Sequence, residues 1–166
     1  MPKIGEKVVY SSYGVMEVVD IREETFIDTA QCYYVLSPSG AQAGSMTFVP
    51  VNNAQLVAKM KPLLSENEIY SIIKNLESIP EAEWIPDNRA RNESFKATIE
   101  EGDRIKMISM IKLIRKTGER RAGEGKKNYL ADESAMQKAE KLLYSEIATV
   151  FGIDESSVPE FIEENK

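Results

Sequence analysis

Two hydrophobic periods divide this chain. Up to about residue 55 the apolar residues come in short runs rich in Val, Ile, Tyr and Phe: Val8-Val9-Tyr10, Val15 to Ile21, Cys32 to Leu36 and Met46 to Val51. Such runs, separated by Ser11-Ser-Tyr-Gly14 and Ser37-Pro-Ser-Gly-Ala-Gln-Ala-Gly44, predict strands joined by turns. Four or five short strands in so little chain make a small closed barrel the economical solution, because closure removes exposed edges. The adjacent pair Val18 and Val19 interrupts strict alternation, so the pattern leaves the register open there.

From Ser65 the period becomes helical. Ser65-Glu-Asn-Glu68 has the form of a capping box, and Ile69, Ile72, Ile73 and Leu76 then fall on one face. Pro80 and Pro86 bound an irregular stretch that holds Trp84. A helix is predicted to restart with Asp87 as its cap and to run to Glu101, burying Phe95 and Ile99 before stopping at Gly102. Asp103 caps the next, over about 104–117, with Ile105, Ile108, Ile111 and either Leu113 or Ile114 inward. Gly118 to Lys127 reads as a glycine-rich basic connector. A long helix from about Asp132 to Phe151 buries Met136, Ala139, Leu143 and Ile147, and a short helix with Val158, Phe161 and Ile162 follows. The fold class expected is α+β: an N-terminal small antiparallel β-barrel, residues 1–58, and an all-α domain, residues 59–166.

Composition changes this picture little. With 42% hydrophobic and 29% charged residues the chain has the balance of an ordinary globular protein. A single cysteine, Cys32, precludes an internal disulfide and fits a reducing cytoplasm. No apolar run approaches the ~20 residues of a membrane span, and the first residues show no apolar signal region. The absence of histidine removes the usual general base near neutral pH and the commonest metal ligand. The glycine-rich connector fails as a phosphate loop, since Arg120 stands where glycine is required and Lys127 where Ser or Thr is required. These residues predict a protein that is not an enzyme and needs neither metal nor cofactor.

Charge is informative only when divided along the chain. The net charge of −6 conceals nine basic residues between Arg104 and Lys127, opposed by Glu119 and Glu124 alone. Arg89 and Arg91 also follow closely on Trp84. An aromatic wedge beside a basic helical face suits duplex DNA, the cations neutralising phosphates and the ring lodging at a distorted base step. The same residues also suit a solvated helix face and a tryptophan that packs a joint.

Several segments in order resemble one family. Ile4-Gly-Glu-Lys-Val-Val-Tyr10, Gly14-Val and Val18-Val-Asp-Ile21 are similar to the opening of the CarD/CdnL transcription regulators, shared with the polymerase-interacting module of transcription-repair coupling factors. Phe48-Val-Pro-Val-Asn-Asn53, Lys61-Pro-Leu-Leu-Ser-Glu-Asn-Glu-Ile69, Gly102-Asp103 and Ala139-Glu-Lys-Leu-Leu143 with Glu146-Ile-Ala148 extend the resemblance over nearly the whole chain. The chain has no Walker motif, so the free-standing regulator is the better match than the coupling factor with its helicase motor.

The resemblance implies a Tudor-like barrel that binds the β subunit of bacterial RNA polymerase by extending a sheet. It also implies a helical domain that touches promoter DNA at the upstream edge of the transcription bubble, without sequence-specific recognition, and modulates open-complex stability. Carried onto this sequence, the polymerase-binding set is Arg22, Glu24, Thr47, Phe48, Val49 and Pro50. The DNA-binding set is Trp84, Asn88, Arg89, Arg91, Lys112, Arg115, Lys116, Arg120, Arg121, Lys126, Lys127 and Lys138. The family's usual wedge position falls at about Asn88, one helical turn after Trp84, and its polymerase-facing arginines fall at about Glu24 and Phe48. The protein is expected to be a cytoplasmic monomer with no membrane association. The alternative expectation is a polymerase-bound adaptor whose helical domain recruits a protein instead of DNA.

Overall fold

The computed structural model describes residues 1–39 and 44–166. The chain divides into two compact units, Met1–Leu64 and Ser65–Lys166. The boundary falls beyond the 58/59 junction expected from sequence because Met60–Pro62 form a further strand of the first unit. Residues 40–43 of the expected Ser37–Gly44 turn lie outside the described residues.

The first unit is one antiparallel sheet. Its strands are β1 (Lys7–Tyr10), β2 (Val15–Phe26), β3 (Thr29–Pro38), β4 (Thr47–Pro50) and β5 (Met60–Pro62), in the order β4-β3-β2-β1-β5. A four-residue helix, α1 (Ala54–Val57), is capped by Asn53, whose Oδ1 accepts from the Leu56 amide at 3.1 Å. The expected closure into a barrel is not observed, because no pairing among the described residues joins β4 to β5. The core lies on one face, where Val8, Tyr10, Met16, Val18, Tyr34, Leu36, Val49 and Met60 are buried together.

Two local features explain where the strands depart from their expected lengths. The register shifts between Val18 and Asp20, so Val19 is the extra residue of a bulge and stands 37% exposed while Val18 is fully buried. This is the structural basis of the interrupted alternation. Beyond the bulge, β2 and β3 continue as a long hairpin to the pair Phe26–Thr29, closed by Ile27 and Asp28 with φ of 51° and 61°. A two-residue turn with both φ values positive matches the twist of the flanking strands, but Asn-Gly is its usual sequence. Ile27, β-branched and 96% exposed, gives no such signal and sits in a backbone region unfavourable to it.

The second unit contains α2 (Glu66–Lys74), α3 (Asn88–Glu101), α4 (Arg104–Gly123), α5 (Leu130–Phe151) and α6 (Val158–Glu164). The predicted caps are in place. Ser65 and Glu68 form the reciprocal box, Asp87 and Asp103 accept from Ala90 and Lys106 amides, and Gly102 and Gly152 end their helices in the left-handed conformation. Phe95, Ile99, Met107, Met110, Ile111, Leu113, Ile114 and Ala139 make the core, and Tyr70, Phe151 and Phe161 cluster around the start of α6.

The predicted end of α4 is corrected, as is the inward position of Ile105, whereas Ile111, Leu113 and Ile114 are buried as expected. The helix runs through Gly118 to Gly123, and the turn comes at Gly125, which has φ of 72°. Gly118 is instead a contact point, since a Cβ there would lie 2.8 Å from Asn128 Oδ1, and its absence lets the following loop return against the helix. Ile105 is 43% exposed, whereas Met107 and Met110 are buried. An apolar stripe this wide has no unique centre in sequence, and packing against α5 selects the side bearing Met107, Met110 and Ile114.

Two stability outcomes follow from this geometry. Replacing Ile27 by Asn, which tolerates positive φ, is expected to raise the stability of the first unit by about 1 kcal/mol, read from the urea midpoint of unfolding. At the α2 start, the Ser65 backbone amide and hydroxyl both donate to Glu68 and, with the more distant Arg104, hold its carboxyl below the ordinary value. A lowered native pKa means this contribution is complete above the ordinary carboxylate range and disappears as pH falls through the lowered value. Ser65→Ala should therefore cost about 1 kcal/mol near neutral pH, and the gap from wild type should narrow in acid without closing, because the bond from the Glu68 amide to Ser65 Oγ does not titrate.

Candidate functional site

The stretch between the two prolines is exposed chain with little secondary structure, yet it is held at several points. Lys112 on α4 donates through Nζ to the carbonyls of Leu76 and Ile79, both at 2.6 Å. The Ala82 amide donates to Ser109 O at 3.0 Å, and Lys116 pairs with Glu81 at 3.1 Å. Trp84 itself is half-buried and packs against the core of the helical unit.

Arg91 makes the tightest of these attachments. It lies one turn into α3 and is 1% exposed. Its Nε donates to both oxygens of Asp132 at 3.1 and 2.9 Å. One terminal nitrogen, Nη1, donates to Ile85 O at 3.0 Å and Pro86 O at 3.4 Å, while Nη2 donates to Asn88 Oδ1 at 2.8 Å. The guanidinium carbon stands 4.2 Å from the centre of the Trp84 ring and 4.7 Å from that of Tyr129. The two ring centres are 6.1 Å apart, with planes tilted by 34°. Asp132 is likewise buried, in the first turn of α5, where a carboxylate also suits the helix dipole.

This arrangement corrects the expectation that Arg91 meets a DNA phosphate: its donors are already spent on protein acceptors inside the unit. Lys112 is corrected for the same reason, since its ammonium closes the carbonyls at the end of the Leu76–Ser78 turn. Asn88 serves as an acceptor for Arg91, exposed at the start of α3. Arg121 is half-buried, with its guanidinium 4.0 Å from the Tyr129 ring centre, donating to Tyr129 Oη at 3.1 Å and to Lys127 O at 2.8 Å.

The remaining cations are at the surface in two groups. Arg89, Arg115, Lys116 and Lys126 pair with Glu93, Glu140, Glu81 and Glu124. Exposed ion pairs of this kind are weak, about 0–1 kcal/mol, and exchange partners readily. Arg120, Lys127 and Lys138 are exposed, and among the described residues none of their side-chain charges has an ion pair or hydrogen bond. Arg120 and Lys127 flank the Arg121–Tyr129 contact in sequence, whereas Lys138 lies two turns along α5. Tyr129 and Asp132 carry no signal in the hydrophobic period: one is the residue before a helix, the other resembles an ordinary first-turn carboxylate.

The first unit presents a different surface. On β2, Asp20, Arg22 and Glu24 share a face, and Arg22 donates to Glu24 at 2.7 Å and to Asp20 at 3.1 Å. These contacts, Glu24 foremost, raise the Arg22 pKa further. Arg22 also lies 5.8 Å from the ring of Phe48, which forms an edge-on cluster with Phe26 and Tyr33. Thr47 and Pro50 are half-buried, whereas Val49 is wholly buried, backbone included, and pairs with Tyr34 of β3. As β4 ends the sheet, its outer row of amides and carbonyls has no strand partner among the described residues.

Arg91→Ala or Asp132→Ala is expected to destabilise the helical unit by about 3–5 kcal/mol, because either leaves a buried charge without its partner. Replacing both by apolar residues should recover most of that loss in a double-mutant cycle read by urea unfolding.

No helix among the described residues is long and apolar enough to cross a membrane. No curated protein matches this chain significantly. A family model described as the CarD-like/TRCF RID domain matches residues 3–62, a span that takes in the whole sheet from β1 to β5. The open-edged N-terminal sheet is thus a member of the CarD-like/TRCF family of RNA polymerase-interacting domains.

Proposed function

We propose that this protein is a non-catalytic transcription regulator that docks on the β subunit of bacterial RNA polymerase through its N-terminal unit and touches promoter DNA through its helical unit. The observation that carries the reading is the family match over a sheet whose edge strand β4 is open. Such an edge accepts a further strand through its backbone, and the Phe26–Tyr33–Phe48 cluster with Arg22 supplies side-chain selectivity. Side chains of Arg22, Glu24 and Phe48 and the outer edge of Thr47–Pro50 form this contact in a Tudor-like module, with Val49 holding the strand from the core.

On the helical unit the reading is supported by Trp84, held at the surface of the core, and by the unpaired cations Arg120 and Lys127. They contact the duplex at the upstream edge of the transcription bubble, without reading sequence. Docking on polymerase raises the effective concentration of this unit beside the promoter, so a weak intrinsic DNA affinity suffices in a net acidic protein working in the cytoplasm as a monomer. A preference for melted over closed promoter of about 1.4 kcal/mol shifts that equilibrium tenfold.

One observation favours the second reading, a protein adaptor: Arg89, Arg115, Lys116 and Lys126 already face carboxylates. Open-complex lifetime on a ribosomal-type promoter separates the two. With wild type the lifetime should change, and Trp84→Ala and Arg120→Glu/Lys127→Glu should return it to the value without protein. In direct binding, each of Arg120→Ala and Lys127→Ala should lower the slope of log affinity against log salt by about 1. Absence of promoter DNA binding by the full chain at low salt, with full activity of Trp84→Ala, would establish the adaptor.

A further inference from the structure

We propose that the side-chain amides of Gln31, Asn52 and Gln55 continue the docking edge of β4, bonding peptide groups of the polymerase segment where backbone pairing on β4 runs out. This rests on the docking reading above and assigns to it three residues outside the expected polymerase-binding set.

The pairing edge of β4 is shorter than its four residues suggest. Successive residues of a strand turn their backbone groups to opposite edges. The Val51 amide donates to the Cys32 carbonyl of β3 at 2.9 Å, and Val49 pairs with Tyr34 and is wholly buried. Phe48 and Pro50 are therefore the residues whose backbone faces outward, and Thr47 turns inward with Val49. Pro50 has no N–H to offer. Its carbonyl already accepts from the Asn53 amide at 3.1 Å, in the turn that leads to α1. The N–H and C=O of Phe48 are left as the principal pairing groups. One residue makes a short ladder, so a segment seated there needs further bonds beside it.

The groups that can supply those bonds line a cleft at the end of the strand. Past Pro50 the chain turns away, while the β2–β3 hairpin runs on to Phe26–Thr29. The open cleft there is lined by Gln31, Pro50, Asn52, Asn53, Ala54 and Gln55. Asn53 is committed to capping α1. Asn52 and Gln55 are exposed, and among the described residues their side chains make no hydrogen bond. Gln31 donates through Nε2 to Tyr33 Oη at 2.6 Å, which orients its amide beside the aromatic cluster and leaves Oε1 as an acceptor. A carboxamide carries both a donor and an acceptor, the complement of a peptide group. No lining residue is charged, so the cleft is not built for an ionic ligand. It is open along its length, which suits a passing chain better than an enclosed small molecule. Because these amides read peptide groups, they extend the backbone contact, and selectivity stays with Arg22 and the aromatic rings.

The test is the dissociation constant of the full chain with bacterial RNA polymerase core enzyme. Asn52→Ala/Gln55→Ala should weaken binding by about tenfold, and Gln31→Leu alone by about threefold. Since neither Asn52 nor Gln55 is charged, the factor for the pair should hold between low and high salt, whereas the cost of Arg22→Ala should shrink as salt rises. The urea midpoint of the double variant should stay at the wild-type value, because neither side chain bonds within the protein and the Asn53 cap is untouched. If wild type binds and the double variant binds equally well, the inference is wrong and the docking reading stands. Weaker binding accompanied by a lowered midpoint would make the pair structural and likewise overturn the inference alone. If wild type does not bind core enzyme, both fall.

Discussion

The buried pair of Arg91 and Asp132 organises the helical unit around Trp84. A guanidinium withdrawn from water needs its charge balanced and its nitrogens bonded, and here one carboxylate, two carbonyls and one side-chain amide oxygen take a bond from each of the three nitrogens. The acceptors come from three parts of the chain: the proline-bounded stretch, the start of α3 and the start of α5. A segment that would otherwise wander on the surface is therefore tied to two helices by a single side chain. Lys112 makes a comparable tie at the other end of the same segment, through the carbonyls of Leu76 and Ile79. Arg104, bonded to both oxygens of buried Glu146, links α4 to α5 in the same manner.

The consequence for function is a division of labour among cations that look alike in sequence. Arg91, Lys112 and Arg104 hold the unit together; Arg121 anchors a loop; the side chains of Arg120 and Lys127 are left exposed. Counting positive charge along 104–127 identifies the region and overstates how much of it faces outward. Trp84 of the candidate surface is held by one of those internal cations, Arg91, at 4.2 Å from its ring centre.

In the sheet, the constraint is the reverse: what matters is an edge left without a strand partner among the described residues. β4 offers its outer backbone edge while its Val49 side chain is committed to the core. The bulge at Val19 reconciles two adjacent valines with a single buried face, and the hairpin beyond it projects Phe26 toward Phe48. An edge with one face fixed by the core and the other lined by aromatics has both the register and the selectivity that strand addition needs.

Much of the fold was legible in the residues because its signals are local. Ser65 with Glu68, Asp87, Asp103, Gly102 and Gly152 fix helix ends through bonds or dihedrals within a few positions of themselves, and all five boundaries agree with the structure. The short runs rich in Val, Ile, Tyr and Phe around Val8, Val18 and Leu36 likewise announced strands. The open sheet and the three-residue β5 were not announced, since they depend on pairing between strands distant in sequence, and the Ile27-Asp28 turn was not, because the long β2–β3 ladder imposes it on residues that give no turn signal. The candidate site divides the same way. Sequence alone located Trp84 and the basic run, because composition is visible position by position. Which cations are buried, and that Tyr129 and Asp132 complete the cluster, was decided only by tertiary structure: a charge finds its partner across 41 residues of chain through packing that no local period encodes.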